Sequence, residues 1–436
     1  QMEQLAREAL AGAGLDYQDL HIYATPRRLA LAVDALAEKA ADVAALPYDV
    51  YNREEAKQEI QKEKLTFLKI DRPETQFPDD MDMYDPKVYQ KAKEMYEEAK
   101  TDQTLIQDQD ICFYIYRLTM DGRAQTGIVA CALVDDYLNN VIKKHENTRE
   151  EKEQDRICHV DALSAQTGPI FLAYRSKKEI NDIVNEVMKT EPLYDFTASD
   201  GIQHTVWKMA QKDEVEKIEQ AFDSIGEIYI ADGHHRAASA VKVSLKRREA
   251  KKDYTGKEEF NYFLSVLFPD DQLYIMDYNR SVKDLNGWTK EEFFEQIQKS
   301  FILTALDHMQ KPEKKGQIAM YLEKEWYLLE AKEELLQIDD TVRSLDVSLL
   351  QEYLLEPVLG IKDPRTDARI DFIGGIRGME ELERRADSDM KVSFAMYPTS
   401  IGELFAVADA KRLMPPKSTW FEPKLRSGLF IHEIER

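Results

Sequence analysis

Within Tyr229–Ala240, which reads YIADGHHRAASA, an acid, a glycine, two histidines and an arginine fill five consecutive positions between an apolar run and an alanine-rich run. If EIYIA is a strand and RAASAVKV a helix, Asp232, Gly233, His234 and His235 lie on the turn and at the helix start. Gly233 there can take a positive φ or let a ligand approach the backbone closely. The free N–H groups and dipole of a helix N-terminus favour an anion, and Arg236 adds a guanidinium fork suited to phosphate or carboxylate. Asp232 suits a metal ligand or a base, and His234 and His235 suit phosphate donors or proton carriers. The plainer reading is an Asp cap with two histidines that meet local hydrogen-bonding needs. A zinc clamp does not fit, because adjacent helical side chains point about 100° apart rather than together.

Three further segments carry chemistry. KKHENTREEKEQDRICH holds Lys144, His145, Glu146 and Arg149, but its acids and bases nearly cancel. By composition it is a solvated helix laced with i,i+4 pairs. The loop QTGP offers Thr167 and Gly168, either to line a ligand or simply to turn the chain. MPPKSTWFEPKLRSG sets Lys417 and Ser418 between prolines, a rigid loop that could hold an anion or cross the surface packed. GGIRG is too short to count as a dinucleotide fingerprint.

The elements that must position these groups alternate between strands and helices. Residues 1–42 read as a short helix, the extended DLHIYATP and the helical RRLALAVDALAEKAAD. VAALPYDV leads into a polar helix, and DPKVYQKAKEMYEEAKTD is a charged helix. DICFYIYRLTMDGRAQTGIVACALV is a hairpin around Asp121-Gly122, since Asp-Gly suits a turn that needs positive φ. IFLAY and YFLSVLFP read as strands and QIAMYLEKEWYLLEA as a further hairpin. The expected class is α/β, a mixed sheet with helices, with a division into two subdomains expected near residue 260.

The chain has 436 residues, 43% hydrophobic and 32% charged, with a net charge of −23. No apolar run is long enough to span a bilayer. Phosphate neutralisation dominates nucleic-acid affinity, so nucleic acid is not the expected partner of so acidic a chain. Cys112, Cys131 and Cys158 form no CxxC pair, which fits free thiols and a cytoplasmic location.

From about Val43 onward the chain resembles the family called domain of unknown function 1015. The resemblance rests on VAALPYDV, KHENTR, KEQDRICHVDALSAQTGPIFL, ADGHHRAASA, GIKDPRTDARIDFIGG and MPPKSTWFEPKLRSGLF, in that order. It moves the KKHENTR segment from solvated helix to site, because the family places its distinctive polar residues there. DGHHR is also similar to the turn of the ParB and sulfiredoxin-like superfamily, where a strand-turn-helix holds nucleotide phosphates. That superfamily includes kinases of free serine, CTP-binding partition proteins and sulfiredoxins. No cysteine stands at this turn, and no DNA-binding module is evident. Residues 1–42, with TPRRLA, resemble an N-terminal fragment of the bacterial glycyl-tRNA synthetase beta subunit, as in a fusion or chimera; so short a fragment carries no synthetase site.

Together these readings imply a nucleotide-dependent phosphotransferase, acting with Mg²⁺ and ATP or ADP on a small hydroxyl metabolite such as free serine. Asp232 is expected as base or metal ligand, and Glu146 as a second base. Gly233, Arg236, Lys144, His145, Arg149, Thr167, Lys417 and Ser418 are expected around the phosphates, with His234 and His235. Two alternatives stand beside it: a non-catalytic nucleotide or metabolite sensor using the same pocket, and, from the resemblance of residues 1–42, a synthetase-related tRNA-binding protein.

Overall fold

The computed structural model describes residues 29–30, 35–37, 43–63, 65–108 and 110–435. The fold is mixed α/β, built around two sheets. The larger holds nine strands: β1 (Leu29–Ala30), β2 (Phe113–Met120), β3 (Arg123–Leu133), β4 (Ile142–Lys143), β5 (Ile170–Tyr174), β6 (Tyr194–Thr197), β7 (Gln203–Met209), β8 (Ile228–Asp232) and β9 (Tyr262–Pro269). Their order is β4-β8-β5-β9-β3-β2-β7-β6, with β1 beside β3. β4 runs parallel to β8 and β5 parallel to β9, and the other pairings are antiparallel. All of β5 and all of β9 are buried, as an apolar run in β5, and one broken only by Ser265 in β9, require. The β2–β3 hairpin turns at Asp121 and Gly122 with φ of 50° and 78°, as Asp-Gly predicts.

The principal helices are α1 (Arg53–Lys62), α2 (Pro86–Thr101), α3 (Glu150–Leu163), α4 (Lys178–Val187), α5 (Lys212–Asp223) and α6 (His234–Ala250). Local chemistry starts two of them. Asn52 and Glu55 form a capping box on α1, and Asp85 caps α2 just before Pro86. α6 packs along α3, where Ser239 Oγ donates to the Glu153 carbonyl at 3.1 Å.

The smaller sheet has six antiparallel strands: β10 (Tyr278–Val282), β11 (Phe301–Leu306), β12 (Gln317–Leu322), β13 (Glu325–Ala331), β14 (Ile370–Gly374) and β15 (Val392–Met396). The expected hairpin is β12–β13. β9, ending at Pro269, lies inside the first sheet, and the strands of the second begin at Tyr278. One apolar core runs through both sheets.

The chain ends by returning to its start: Phe430–Glu433 pairs with Ala35–Ala37 on one side and with Ala165–Gln166 on the other. The helix expected over RRLALAVDALAEKAAD is corrected at its described residues. Leu29–Ala30 and Ala35–Ala37 are strands, because β3, Leu105–Ile106 and the C-terminal strand offer backbone partners that outweigh local propensity. The helix and strand expected in residues 1–28 lie outside the described residues. No helix among the described residues is long and apolar enough to cross a membrane.

Candidate active site

The polar turn is the expected elbow. β8 ends at Asp232, Gly233 sits at φ 91°, and α6 begins at His234. Because β4 runs parallel to β8, with Ile142 opposite Ile228 and Lys143 opposite Tyr229, Lys144, His145 and Glu146 leave the sheet beside the elbow. β5 is antiparallel to β8, with Phe171 opposite Asp232, so the preceding loop with Thr167 and Gly168 reaches the same end. The fourth segment comes from the far end of the chain. The Met414 amide donates to the His145 carbonyl at 2.8 Å, and Lys424 Nζ lies 3.0 Å from Asp232 Oδ2. Four stretches separated in sequence thus converge at the C-terminal ends of β4 and β8.

Each oxygen of the Asp232 carboxylate has a partner. Its Oδ1 accepts the Gly233 amide at 2.8 Å and its Oδ2 faces Lys424. Burial opposes its ionisation, but Lys424 and Arg236 outweigh burial and hold it well below the usual carboxylate range. Lys424 is raised in turn by Asp232 and Glu422, against the effect of its own burial. Its ammonium also lies 4.8 Å from the Trp420 ring. Trp420 rests on Gly374, where a Cβ would come within 2.8 Å of the indole. Packing of this kind accounts for the first glycine of GGIRG.

His145 and His234 stack edge to face, with ring centroids 4.5 Å apart and planes at 88°. Both are buried. Burial, reinforced by the neighbouring His234, pushes His145 down to about 3, and burial pushes His234 down to about 4. Both are therefore neutral near pH 7. His234 Nδ1 lies 3.7 Å from Glu146 Oε2, and its buried Nε2 has no hydrogen-bond partner among the described residues. His235 is also lowered, by burial and by Lys152, and its Nδ1 is likewise unpartnered.

The remaining expected residues fall into two tiers. Lys144, exposed and 4.5 Å from the Tyr137 ring, acts on His234, and Lys417 feels Glu146. Arg149, exposed at the start of α3, acts on Lys152. The inner tier is tied up in protein contacts. Arg236 donates to the Pro169 carbonyl and folds over Gly233, whose missing Cβ would lie 3.1 Å from Arg236 Nε. Thr167 Oγ1 donates to Asp71 at 2.9 Å, and Ser418 Oγ donates to the Pro415 carbonyl at 2.6 Å. Arg236 and Thr167 line a small inner cavity of about 30 Å³ with Arg156 and Tyr48.

Lys152 comes from the KKHENTREEKEQDRICH segment, and Asp49 joins the site without having been expected there. The charge of Asp49 acts on Lys152, His235, Lys417 and Lys424, which places it among the cations of the outer tier. Its signal lies in VAALPYDV, a stretch whose apolar run and proline suggest a strand end rather than chemistry. Among the described residues no group of three or more His, Cys, Asp or Glu side chains is placed to hold a metal ion.

The chain is similar to several solved structures at low identity. A free serine kinase in complex with AMP is 13% identical, covering 71% of this chain and 91% of that one, with a TM-score of 0.35. SbnI from Staphylococcus aureus, truncated at its C-terminus, is 12% identical over 70% of this chain and 87% of that one, with a TM-score of 0.37. A conserved hypothetical protein from Pyrococcus furiosus is 14% identical over 69% and 93%, with a TM-score of 0.33. Likenesses of that order support no transfer of function. No curated protein matches. The model of one family, described as Protein of unknown function (DUF1015), matches residues 30–348. The match spans β1 to β13, the elbow and the KKHENTR segment included, and the chain belongs to this family.

Proposed function

We propose that the cleft between the Gly233 elbow and the Lys417–Lys424 loop binds a nucleoside phosphate and transfers a phosphoryl group to a small hydroxyl metabolite such as free serine. One observation carries this reading. In a chain of net charge −23, Lys144, Lys152, Lys417 and Lys424 gather with a helix N-terminus around Asp49, Glu146 and Asp232. Phosphoryl transfer asks for positioning and charge neutralisation above all, and a local basic cleft in an acidic protein concentrates an anionic ligand.

In this reading the acceptor's hydroxyl oxygen attacks the terminal phosphorus. The P–O bond to the nucleotide breaks, its electron pair leaves with the nucleotide, and the hydroxyl proton passes to a carboxylate. Asp232, held by Lys424, is a poor base and serves to orient that lysine. Glu146, beside neutral His234, is the better proton acceptor. The two buried histidines contribute single N–H donors rather than cations. The α6 N-terminus and Lys424 take phosphate oxygens, with Lys417 nearby. Arg236 braces the elbow from below. Any Mg²⁺ would arrive on the nucleotide's own phosphates.

The test is turnover. Purified protein with ATP or ADP, Mg²⁺ and a panel of hydroxyl amino acids is expected to form a phosphorylated acceptor, with Glu146→Gln losing rate at unchanged nucleotide affinity. Tight nucleotide binding with no product across the panel would select a sensor instead.

A further inference from the structure

A cavity of about 180 Å³ has Asp49 and Lys152 in its lining, and the charges of both act on His235 at the elbow. Its other walls come from Tyr48, Tyr84, Tyr89 and Arg156. From these we infer that it is a subsite for a flat aromatic ring, the nucleobase of the ligand whose phosphates lie at the elbow. The inference rests on the nucleotide reading above.

The walls have the composition of a ring pocket, aromatic faces with a few fixed polar groups. Tyr48 is braced from behind, with the Arg156 guanidinium 4.0 Å from its ring centre. Arg156 is held by Asp155 at 2.8 Å, and Asp155 also accepts the Tyr89 hydroxyl at 2.9 Å. The loop that carries Tyr48 and Asp49 is pinned by Arg72, whose Nη1 donates to the carbonyls of Tyr48 at 2.8 Å and Tyr51 at 2.5 Å. Buried Glu74 holds Arg72 in turn at 2.6 Å. A pocket prepared in this way orders few groups when a ring enters. Tyr84 is 38% exposed at the rim, and its hydroxyl donates to Glu151 at 3.1 Å. Lys152 and Asp49 line the pocket and also act on His235 at the elbow. A ligand reaching from one to the other has an anionic end and an aromatic end.

The experiment compares calorimetric binding of AMP, ribose 5-phosphate and inorganic pyrophosphate to the full chain and to Tyr84→Ala and Tyr84→Phe. Stacking of a base on an aromatic ring predicts that AMP binds roughly tenfold or more tighter than ribose 5-phosphate. Tyr84→Ala should weaken AMP by a similar factor and leave the other two probes unchanged, while Tyr84→Phe should restore AMP binding. Equal affinity for AMP and ribose 5-phosphate would overturn the ring subsite and leave the phosphate cleft standing. So would a Tyr84→Ala variant that weakens all three probes alike. Absence of binding by all three would overturn the nucleotide reading itself.

Discussion

Asp232 and Lys424 are 192 residues apart in the chain, and their side chains meet at 3.0 Å. The contact joins the end of β8, next to the edge of the larger sheet, to the C-terminal loop, and the lysine is held where the free amides of α6 begin. A charge-assisted hydrogen bond to a ligand is worth about 1.5–3 kcal/mol. Lys424→Ala should therefore weaken anion binding roughly 10- to 100-fold. Asp232→Asn should weaken it less, because the lysine remains but loses its guide. Titration with ADP of both single variants and the double variant checks this, and additive effects would mean that the pair does not act as a unit.

Gly233→Ala should cost stability as well as binding. A residue with a Cβ in the left-handed region costs about 1–2 kcal/mol. The new methyl would also stand 3.1 Å from the Arg236 guanidinium and press it off the elbow. Urea denaturation should show the loss, and an unchanged midpoint would contradict the strain argued for this turn.

How far the site is legible in the sequence follows from how local each part is. The elbow is legible because strand, glycine and helix start lie within a dozen residues and each obeys its own local rule. The β2–β3 hairpin is legible for the same reason, through Asp121-Gly122. Lys424 as the partner of Asp232 is not, because nothing in a linear pattern says which distant cation closes on which acid. Asp49 escapes notice because an exposed acid after Pro47-Tyr48 looks like an ordinary turn until the sheet brings Lys417 and Lys152 to it. Arg236 reads as a phosphate fork, yet the Pro169 carbonyl occupies part of it. The strands at Leu29–Ala30 and Ala35–Ala37 read as helix, since their partners are supplied by residues 105–132 and 430–431.

Stability should fall on both sides of neutrality, for opposite reasons. Folding lowers His145 to about 3, His234 to about 4 and His204 to about 3, all mainly through burial, from an ordinary value of 6.5. Their contribution is complete above pH 6.5 and is lost as the pH falls, because the unfolded chain takes up protons that the folded chain refuses. A tenfold change in proton affinity is worth at most about 1.4 kcal/mol. Burial works against a charge on His432, but Cys131 and Glu259 outweigh it and raise this histidine to about 10. Its contribution is present below pH 6.5 and fades as the pH rises toward 10. Unfolding free energies from pH 5 to 9 should show both limbs. His234→Gln should make the acid limb shallower, leaving the parts due to His145 and His204, and His432→Gln should flatten the alkaline one; a variant that leaves its limb unchanged would refute that assignment.

Arg426 should prove a structural anchor with a functional consequence. Its Nε donates to His204 Nε2 at 3.1 Å, which leaves the proton of that imidazole on Nδ1, 2.7 Å from the Tyr116 hydroxyl. Its other end pairs with Asp200. Arg426→Ala should cost about 2 kcal/mol, below the usual range for breaking a buried pair because Asp200 is partly exposed. ADP affinity should fall with it, since Lys424 lies two residues away. Lost stability at undiminished affinity would show that this anchor does not position the loop.

If the elbow and the C-terminal loop form one nucleotide-phosphate cleft, calorimetric titration with ADP should reveal it most directly. The intact chain is titrated beside Lys424→Ala, with circular dichroism to confirm that both are folded. Saturable binding is expected for the native chain, weakening at least tenfold in the variant and falling also with rising salt. No binding by the native chain, or equal affinity in a folded Lys424→Ala, would contradict the shared cleft.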